Sequence, residues 1–393
     1  MLLVELIHYN LETKIMRMAM PQIKSRVLSK LKVSPTGQTA LFSEHALPKF
    51  PATRYQGSKR KILPELATAF RNLTFHTVLD LYSGSGVVSL LLRYLGKQVH
   101  ANDYLLFNQS VARLFLTAND STFKNLSFRE DLGELLSPRS SPGPGLVHEH
   151  YRGIFFLDHE NEEIDRFCHN VSQINSLHRD LYVYAVGQAL MKKRPYNLFH
   201  RANLQMRQRD VKRSFGNAVT WKTSILDHAS KAIEELRRFP FDDCPRGKVF
   251  GESTEDLSTL SNRYDLVYLD PPYLNSAGVG VDYSDFYGFL DGLCNYRLFE
   301  SGDLRFAHKP IHRRTSNWLN PVSALEELSA ICSKWTSSII FLSYRSDGLP
   351  NPGETVEVLS QRGRKVEQHT CGEYKYALSR TNSNEELFLV STP

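Results

Sequence analysis

The stretch from Thr77 to Asp103 constrains this chain more than any other. Thr77-Val78-Leu79-Asp80-Leu81-Tyr82 reads as a strand, Ser83-Gly84-Ser85-Gly86 as a tight turn, and Val87 to Leu95 carries apolar residues at helical spacing. Gly96-Lys97 closes the helix, and Val99-His100-Ala101-Asn102-Asp103 follows as a second strand. A β-α-β unit with glycines after its first strand lets the backbone approach a nucleotide-like ligand closely. Dinucleotide-binding folds share this layout, but Gly-Ser-Gly-Val-Val-Ser lacks the third glycine of their G-x-G-x-x-G signature. Asp103, at the end of the second strand, is placed to accept hydrogen bonds from both hydroxyls of a ribose; capping the following helix is the structural alternative, and the spacing from the glycine turn favours the ribose.

A second strand end carries different chemistry. Tyr264-Asp265-Leu266-Val267-Tyr268-Leu269 is rich in branched and aromatic residues and stops abruptly at Asp270-Pro271-Pro272-Tyr273. Neither proline has an N–H, and Pro272 holds Pro271 extended, so the backbone is stiff here. Asp270 then offers a fixed carboxylate and Pro271 a fixed carbonyl. Two acceptors at one spot can take both hydrogens of an exocyclic amine, and the Tyr273 ring offers a face to a planar base. The plainer reading is a turn after a core strand, so other segments must decide.

Upstream, Arg54-Tyr55-Gln56-Gly57-Ser58-Lys59-Arg60-Lys61 is a glycine-serine turn leading into a helix at Ile62-Leu63-Pro64-Glu65-Leu66. The free N–H groups of such a helix start, with Lys59 nearby, would attract a carboxylate.

Between Asp103 and the next strand candidate lie about 145 residues, far more than a connection needs, so an inserted module is expected. Ser137 to Gly145 is of low complexity, whereas Leu177 to Met191 has the spacing of a packed helix. From Leu190 to Pro240 there are twelve Lys or Arg against four carboxylates, interleaved over 192–222 with Tyr196, Phe199, His200, Asn203, Gln205, Gln208, Phe215, Asn217 and Trp221. Aromatics and amides make a poor solvated face, and they are the types that read base edges or wedge between bases. The net charge of +6 over 393 residues suits a polyanionic partner.

The remaining features mostly exclude. No apolar run is long enough for a membrane span, and Met1 to Ile15, with Glu5, His8, Glu12 and Lys14, does not read as a signal peptide, so a cytoplasmic protein is expected. The five cysteines, Cys168, Cys244, Cys294, Cys332 and Cys371, contain no C-x-x-C pair, which argues against a disulfide framework and a zinc site. Residues 1–45 form an extension without assigned role.

Taken together, the lysine-bearing turn, the glycine turn, the long basic insertion and Asp-Pro-Pro-Tyr resemble, in this order, the D12-type (alpha-group) adenine-N6-specific DNA methyltransferases. The resemblance covers about residues 50–390. It implies an α/β, Rossmann-like methyltransferase fold with a mainly helical inserted target-recognition domain: cofactor motifs in 46–103, DNA-binding insertion in 104–247, catalytic part in 248–393. It also implies S-adenosyl-L-methionine as cofactor and double-stranded DNA as substrate, from which one adenine is flipped out. Asp270, Pro271, Pro272 and Tyr273 would form the catalytic corner. Tyr55, Gly57 and Lys59 would meet the cofactor, with Lys59 on its methionine carboxylate. Asp80 would hold the cofactor's amino group, and Tyr82, Ser83, Gly84 and Gly86 its amino-acid part. Asp103 would face the ribose and Asn102 would lie beside it at the cofactor, while Glu252, where relatives often have Asp, would meet the adenine amine with Ser253 next to it at the cofactor. DNA contacts fall to Arg201, Asn203, Arg207, Arg209, Lys212, Arg213 and Asn217.

No metal is implied. The protein would act as monomer or dimer on prokaryotic nucleoid DNA, as the modification enzyme beside a separate cognate restriction endonuclease. An RNA adenine or cytosine-N4 methyltransferase would keep the same pocket, and a non-catalytic DNA-binding subunit is the alternative outside the enzymes; cytosine enzymes of this fold usually carry Ser-Pro-Pro-Tyr or a close variant.

Overall fold

Leu266-Val267-Tyr268-Leu269 is buried at every position, the pattern of a strand covered on both faces of a parallel sheet. In the computed structural model it is β4, at the middle of a seven-stranded sheet of order β3-β2-β1-β4-β5-β7-β6. The structure describes residues 47–124, 126–138, 145–200, 204–207, 216–241, 245–251, 257–311, 316–374 and 384–393. All of them belong to one compact unit, His45–Pro393.

The strands β1 (Thr77–Asp80), β2 (Gln98–Asn102), β3 (Lys248–Phe250), β4 (Leu266–Leu269) and β5 (Ile339–Arg345) are parallel, with Asp80 level with both Ala101 and Tyr268. Their C-terminal ends therefore open at one edge of the sheet. Chain order reverses between β1 and β4, the switch point at which open α/β sheets place ligands.

β7 (Asn384–Thr392) runs antiparallel to β5 and to β6 (Lys365–Tyr374). The sequence suggests a closing hairpin from 374–378 and 386–390. The second segment lies in β7, but its partner begins earlier, at Lys365. β6 is an edge strand with most of its side chains from Lys365 to Cys371 exposed, so it lacks the apolar alternation that marks a strand in sequence. Lys375 to Leu378 lie outside the described residues.

Helix α1 (Leu63–Arg71) sets the Phe70 ring against Tyr268 of β4 and Phe341 of β5, while α2 (Val87–Tyr94) packs beside β2 and α3 (Leu106–Thr117) beside β2 and β3. Beyond α3 the long connection to β3 is helical: α4 (Phe128–Leu136), α5 (Leu146–Tyr151), α6 (Asp158–Val171), α7 (Ser176–Lys192), α8 (Gly216–Lys222) and α9 (Ile225–Arg237). In α7, Leu181 to Val186 are all buried, as expected of a helix surrounded by others, here α3 and α9. α9 buries Ile225, Ala229, Ala232, Ile233 and Leu236 as one stripe and turns its charges outward.

These helices share one hydrophobic cluster with the sheet. Arg93 of α2, 1% exposed, fastens both ends of the segment: it donates to the carbonyls of Phe115 at 2.6 Å, Ala118 at 2.7 Å and Pro245 at 3.0 Å. Two of these carbonyls lie at or just past the end of α3, where helical partners run out. No helix among the described residues is long and apolar enough to cross a membrane.

Candidate active site

A cavity of about 460 Å³ opens at the C-terminal ends of β1, β2 and β4, within the size range of small-molecule sites. Its walls bring together Tyr55, Lys59, Asp80, Gly84, Asp103 and Asp270 from four separated stretches of chain, with Gly57, Tyr82, Ser83, Asn102, Pro272 and Tyr283 between them.

The glycine turn shapes one wall. Gly86 N–H closes it onto the Ser83 carbonyl at 2.8 Å, and Ser83 N–H reaches the Asn102 carbonyl at 2.9 Å. Gly84 and Gly86 both have left-handed φ, +49° and +71°, which residues with a Cβ adopt only at a cost. A Cβ at Gly86 would also lie 3.1 Å from the Phe115 ring.

Asp80 sits beneath this turn, 1% exposed. Ser89 Oγ donates to its Oδ2 at 2.5 Å, while among the described residues Oδ1 has no hydrogen-bond partner, and neither does the buried Ser83 Oγ. Burial pushes the carboxyl up to about 7, against the opposing pull of the Ser89 hydrogen bond and with a further push from the nearby Asp270 and Asp103. An anion left so short of donors suits an incoming ammonium. Asp103 is held by Leu105 N–H on Oδ1 at 2.9 Å and by Gly84 N–H on Oδ2 at 2.8 Å. Burial raises it to about 6, with these two backbone donors opposing the rise. Each oxygen keeps lone-pair capacity for another donor, such as a hydroxyl.

Tyr55 forms the opposite wall in a stack of three tyrosines: Tyr287 lies 4.2 Å away at 17° and Tyr283 5.4 Å away at 1°. Asn108 Nδ2 donates to Tyr55 Oη at 3.1 Å, and Gln56 N–H to Tyr287 Oη at 2.7 Å. Gly57, with φ +79°, leaves room for Tyr283, whose hydroxyl would lie 2.5 Å from a Cβ there. In sequence Tyr283 and Tyr287 fit substrate contact or core packing equally. The structure places Tyr287 in the core and Tyr283 on the cavity wall.

Asp270 follows β4 directly, 19% exposed toward the cavity. Lys59 Nζ lies 2.6 Å from Asp270 Oδ1, 3.5 Å from Glu386 Oε1 and 3.4 Å from the Gly57 carbonyl. The sequence expectation puts Lys59 on a ligand carboxylate; in this structure Lys59 stands at the cavity wall with its ammonium engaged by protein carboxylates. The reason is tertiary, because Glu386 arrives from β7 and Asp270 from β4. Burial alone would lower Lys59, but Asp270 and Glu386 more than offset it and hold the lysine well above its ordinary value. Burial raises Asp270 to about 6, with Lys59 opposing and Glu386 reinforcing the rise.

Pro272 lines the cavity, and Tyr273 stands edge-on to Tyr344 at 5.6 Å with the Arg345 guanidinium 5.8 Å from its ring centre. Sequence reasoning missed Glu386, Ser343 and Tyr344. The available signal was an acid opening the apolar run Leu387-Phe388-Leu389-Val390.

Part of the basic segment is interior. Arg207, expected on DNA, is 7% exposed and grips Glu160 of α6 with both terminal nitrogens, at 2.5 and 2.8 Å; Lys193 joins the same carboxylate at 3.0 Å. Arg194 is interior too, 4.8 Å from the Phe155 ring centre and donating to the Phe155 carbonyl at 2.8 Å; burial lowers it to about 9. A run of cations looks like a surface when its buried counter-ion lies tens of residues upstream. Arg201, Asn203, Arg209, Lys212 and Arg213 lie outside the described residues, as do the side chain of Asn217 and all of Glu252 and Ser253. The segment does reach the site: Phe199 N–H donates to the Phe286 carbonyl at 3.0 Å, and the His200 ring lies 5.0 Å from that of Phe286, in α10 (Tyr283–Tyr287).

Residues 55–288 match the family model of the D12 class N6 adenine-specific DNA methyltransferases. Among curated proteins, the chain is 26% identical over 327 residues to Type II methyltransferase M2.HphI of Haemophilus parahaemolyticus, covering 81% of this chain and 90% of that protein. It is 22% identical over 329 residues to Type II methyltransferase M.NlaIII of Neisseria lactamica, covering 79% and 88%.

Proposed function

This chain belongs to the D12 class of N6 adenine-specific DNA methyltransferases, and from that premise we propose that its cavity binds S-adenosylmethionine beside a flipped adenine, whose N6 amine Asp270 orients. One observation carries the reading: the acid of the Asp-Pro-Pro-Tyr corner faces the same cavity as Asp80 and Asp103. The unpartnered Asp80 Oδ1 and Ser83 Oγ fit an α-amino group, and Asp103, with capacity left on both oxygens, fits a ribose diol.

S-adenosylmethionine, when bound, supplies an electrophilic methyl group. The work of the protein is then positional. Tyr55, stacked and hydrogen-bonded, gives a rigid flat wall. The Asp270 carboxylate and the Pro271 carbonyl accept the two N6 hydrogens, which leaves the amine lone pair directed away from them. Tyr273 offers its ring to the base. A strong general base is not required, because the amine can release its proton once methylated.

The basic segment 201–217 is assigned to the DNA on its composition, with Arg201, Asn203, Arg209, Lys212, Arg213 and Asn217 as contacts, and the helical insertion around it to target recognition. The names of the two relatives support a place as the modification enzyme of a type II restriction-modification system, working on cytoplasmic, nucleoid DNA.

The test is methylation of duplex DNA with labelled cofactor, followed by digestion and mass spectrometry. N6-methyladenine is the expected product, and Asp270→Asn should abolish it while leaving cofactor affinity by calorimetry within about twofold. N4-methylcytosine, or an active Asp270→Asn variant, would overturn the reading.

A further inference from the structure

β7 places one carboxylate inside the protein. Glu386 is fully buried, its Oε1 accepts from Ser343 Oγ of β5 at 2.6 Å, and the same oxygen lies 3.5 Å from Lys59 Nζ. An isolated buried carboxylate is costly, so Glu386 depends on the Lys59 charge. That ammonium is shared, since its shorter contact, 2.6 Å, is to Asp270. One cation thus stands between two carboxylates, and its two distances differ by only 0.9 Å.

This arrangement answers a difficulty in the proposed reaction. An Asp270 oxygen already occupied by an ammonium is a poorer acceptor for the adenine amine, yet a lysine leaving Asp270 for nothing would be an unpaired buried cation. We propose that Glu386 is a positioning residue that takes up Lys59 when Asp270 turns to the substrate amine, so that Lys59 stays charged and buried while the catalytic carboxylate exchanges partners. Ser343 steadies Glu386 by the hydrogen bond from its hydroxyl. The inference rests on the assignment of Asp270 as the amine acceptor. Besides Asp270 and Glu386, the ionisable groups facing Lys59 among the described residues are Tyr273 and Tyr268, with Cys371 of β6 near both Lys59 and Glu386.

Glu386→Gln removes the charge but keeps the shape and an acceptor for Ser343. Measured in the full-length protein on duplex DNA, kcat should fall about tenfold or more, with KM for DNA and cofactor affinity within about threefold. The alkaline limb of the kcat–pH profile should move to lower pH, because Lys59 loses one of the two anions that hold its proton. Glu386→Asp should restore part of the rate and move the limb back. A merely structural carboxylate would lower the amount of folded protein and leave kcat per folded molecule unchanged. A folded Glu386→Gln variant with wild-type kcat and pH profile would overturn the proposal; if that variant does not fold, Ser343→Ala decides by the same two readouts. Asp270→Asn, assayed in parallel, separates the premises: activity there defeats the assignment of Asp270, whereas an inactive Asp270→Asn beside an unaffected Glu386→Gln defeats only the role of Glu386.

Discussion

Asp80→Asn should make the ligand-free protein more stable and the cofactor bind less well. The carboxyl of Asp80 is raised from 3.8 to about 7 by burial, opposed by Ser89. At about 1.4 kcal/mol per tenfold in proton affinity, keeping it ionised in the folded state above pH 7 costs about 4 kcal/mol. Asparagine keeps an acceptor for Ser89 Oγ and carries no charge, so at pH 8 the variant should recover most of that cost, at roughly 2 °C in melting temperature per kcal/mol for a large chain.

The dependence on pH tests the cause. The folded state binds this proton more tightly than the unfolded chain does, so the wild type regains stability as pH falls from about 7 toward 4. By pH 5.5 it should have regained about 2 kcal/mol, and the gap between the two proteins should narrow by that amount. Cofactor affinity should move the other way. Loss of a buried charge pair with the amino group costs about 3–5 kcal/mol, which at about 1.4 kcal/mol per tenfold weakens binding at least a hundredfold. Thermal unfolding at pH 5.5 and 8, with titration calorimetry at pH 8, supplies both numbers. A stability gap that stays constant across that range would refute the account of Asp80 as a strained, ionised carboxylate.

Two other substitutions separate structure from substrate contact. Arg207→Ala leaves Glu160, among the described residues, with Lys193 as its one cationic partner beside the Leu157 N–H, and should destabilise the fold by about 3–5 kcal/mol; a variant that melts like the wild type but binds DNA less tightly would mean that Arg207 does meet DNA after all. Gly86→Ala forces a Cβ into a left-handed turn 3.1 Å from the Phe115 ring, so it should lower stability by about 1–3 kcal/mol and weaken cofactor binding in the same calorimetric assay; unchanged affinity would separate the turn from the cofactor site.

Local patterns carried much of this molecule. Asp80, the glycine turn, Asp103 and Asp270 could be read because each ends or follows a short apolar strand, and a β-α-β unit leaves such ends little freedom. Leu177 to Met191 could be read as a packed helix for the same kind of reason. The partners of charged groups could not. Lys59 lies 211 residues from Asp270 and farther still from Glu386, Tyr55 stacks on tyrosines from a distant helix, and Arg207 turns inward because Glu160 waits in α6. Backbone conformation follows from neighbours in the chain, which sequence displays; the state of a charge follows from whatever the fold packs around it, and only the tertiary structure supplies that.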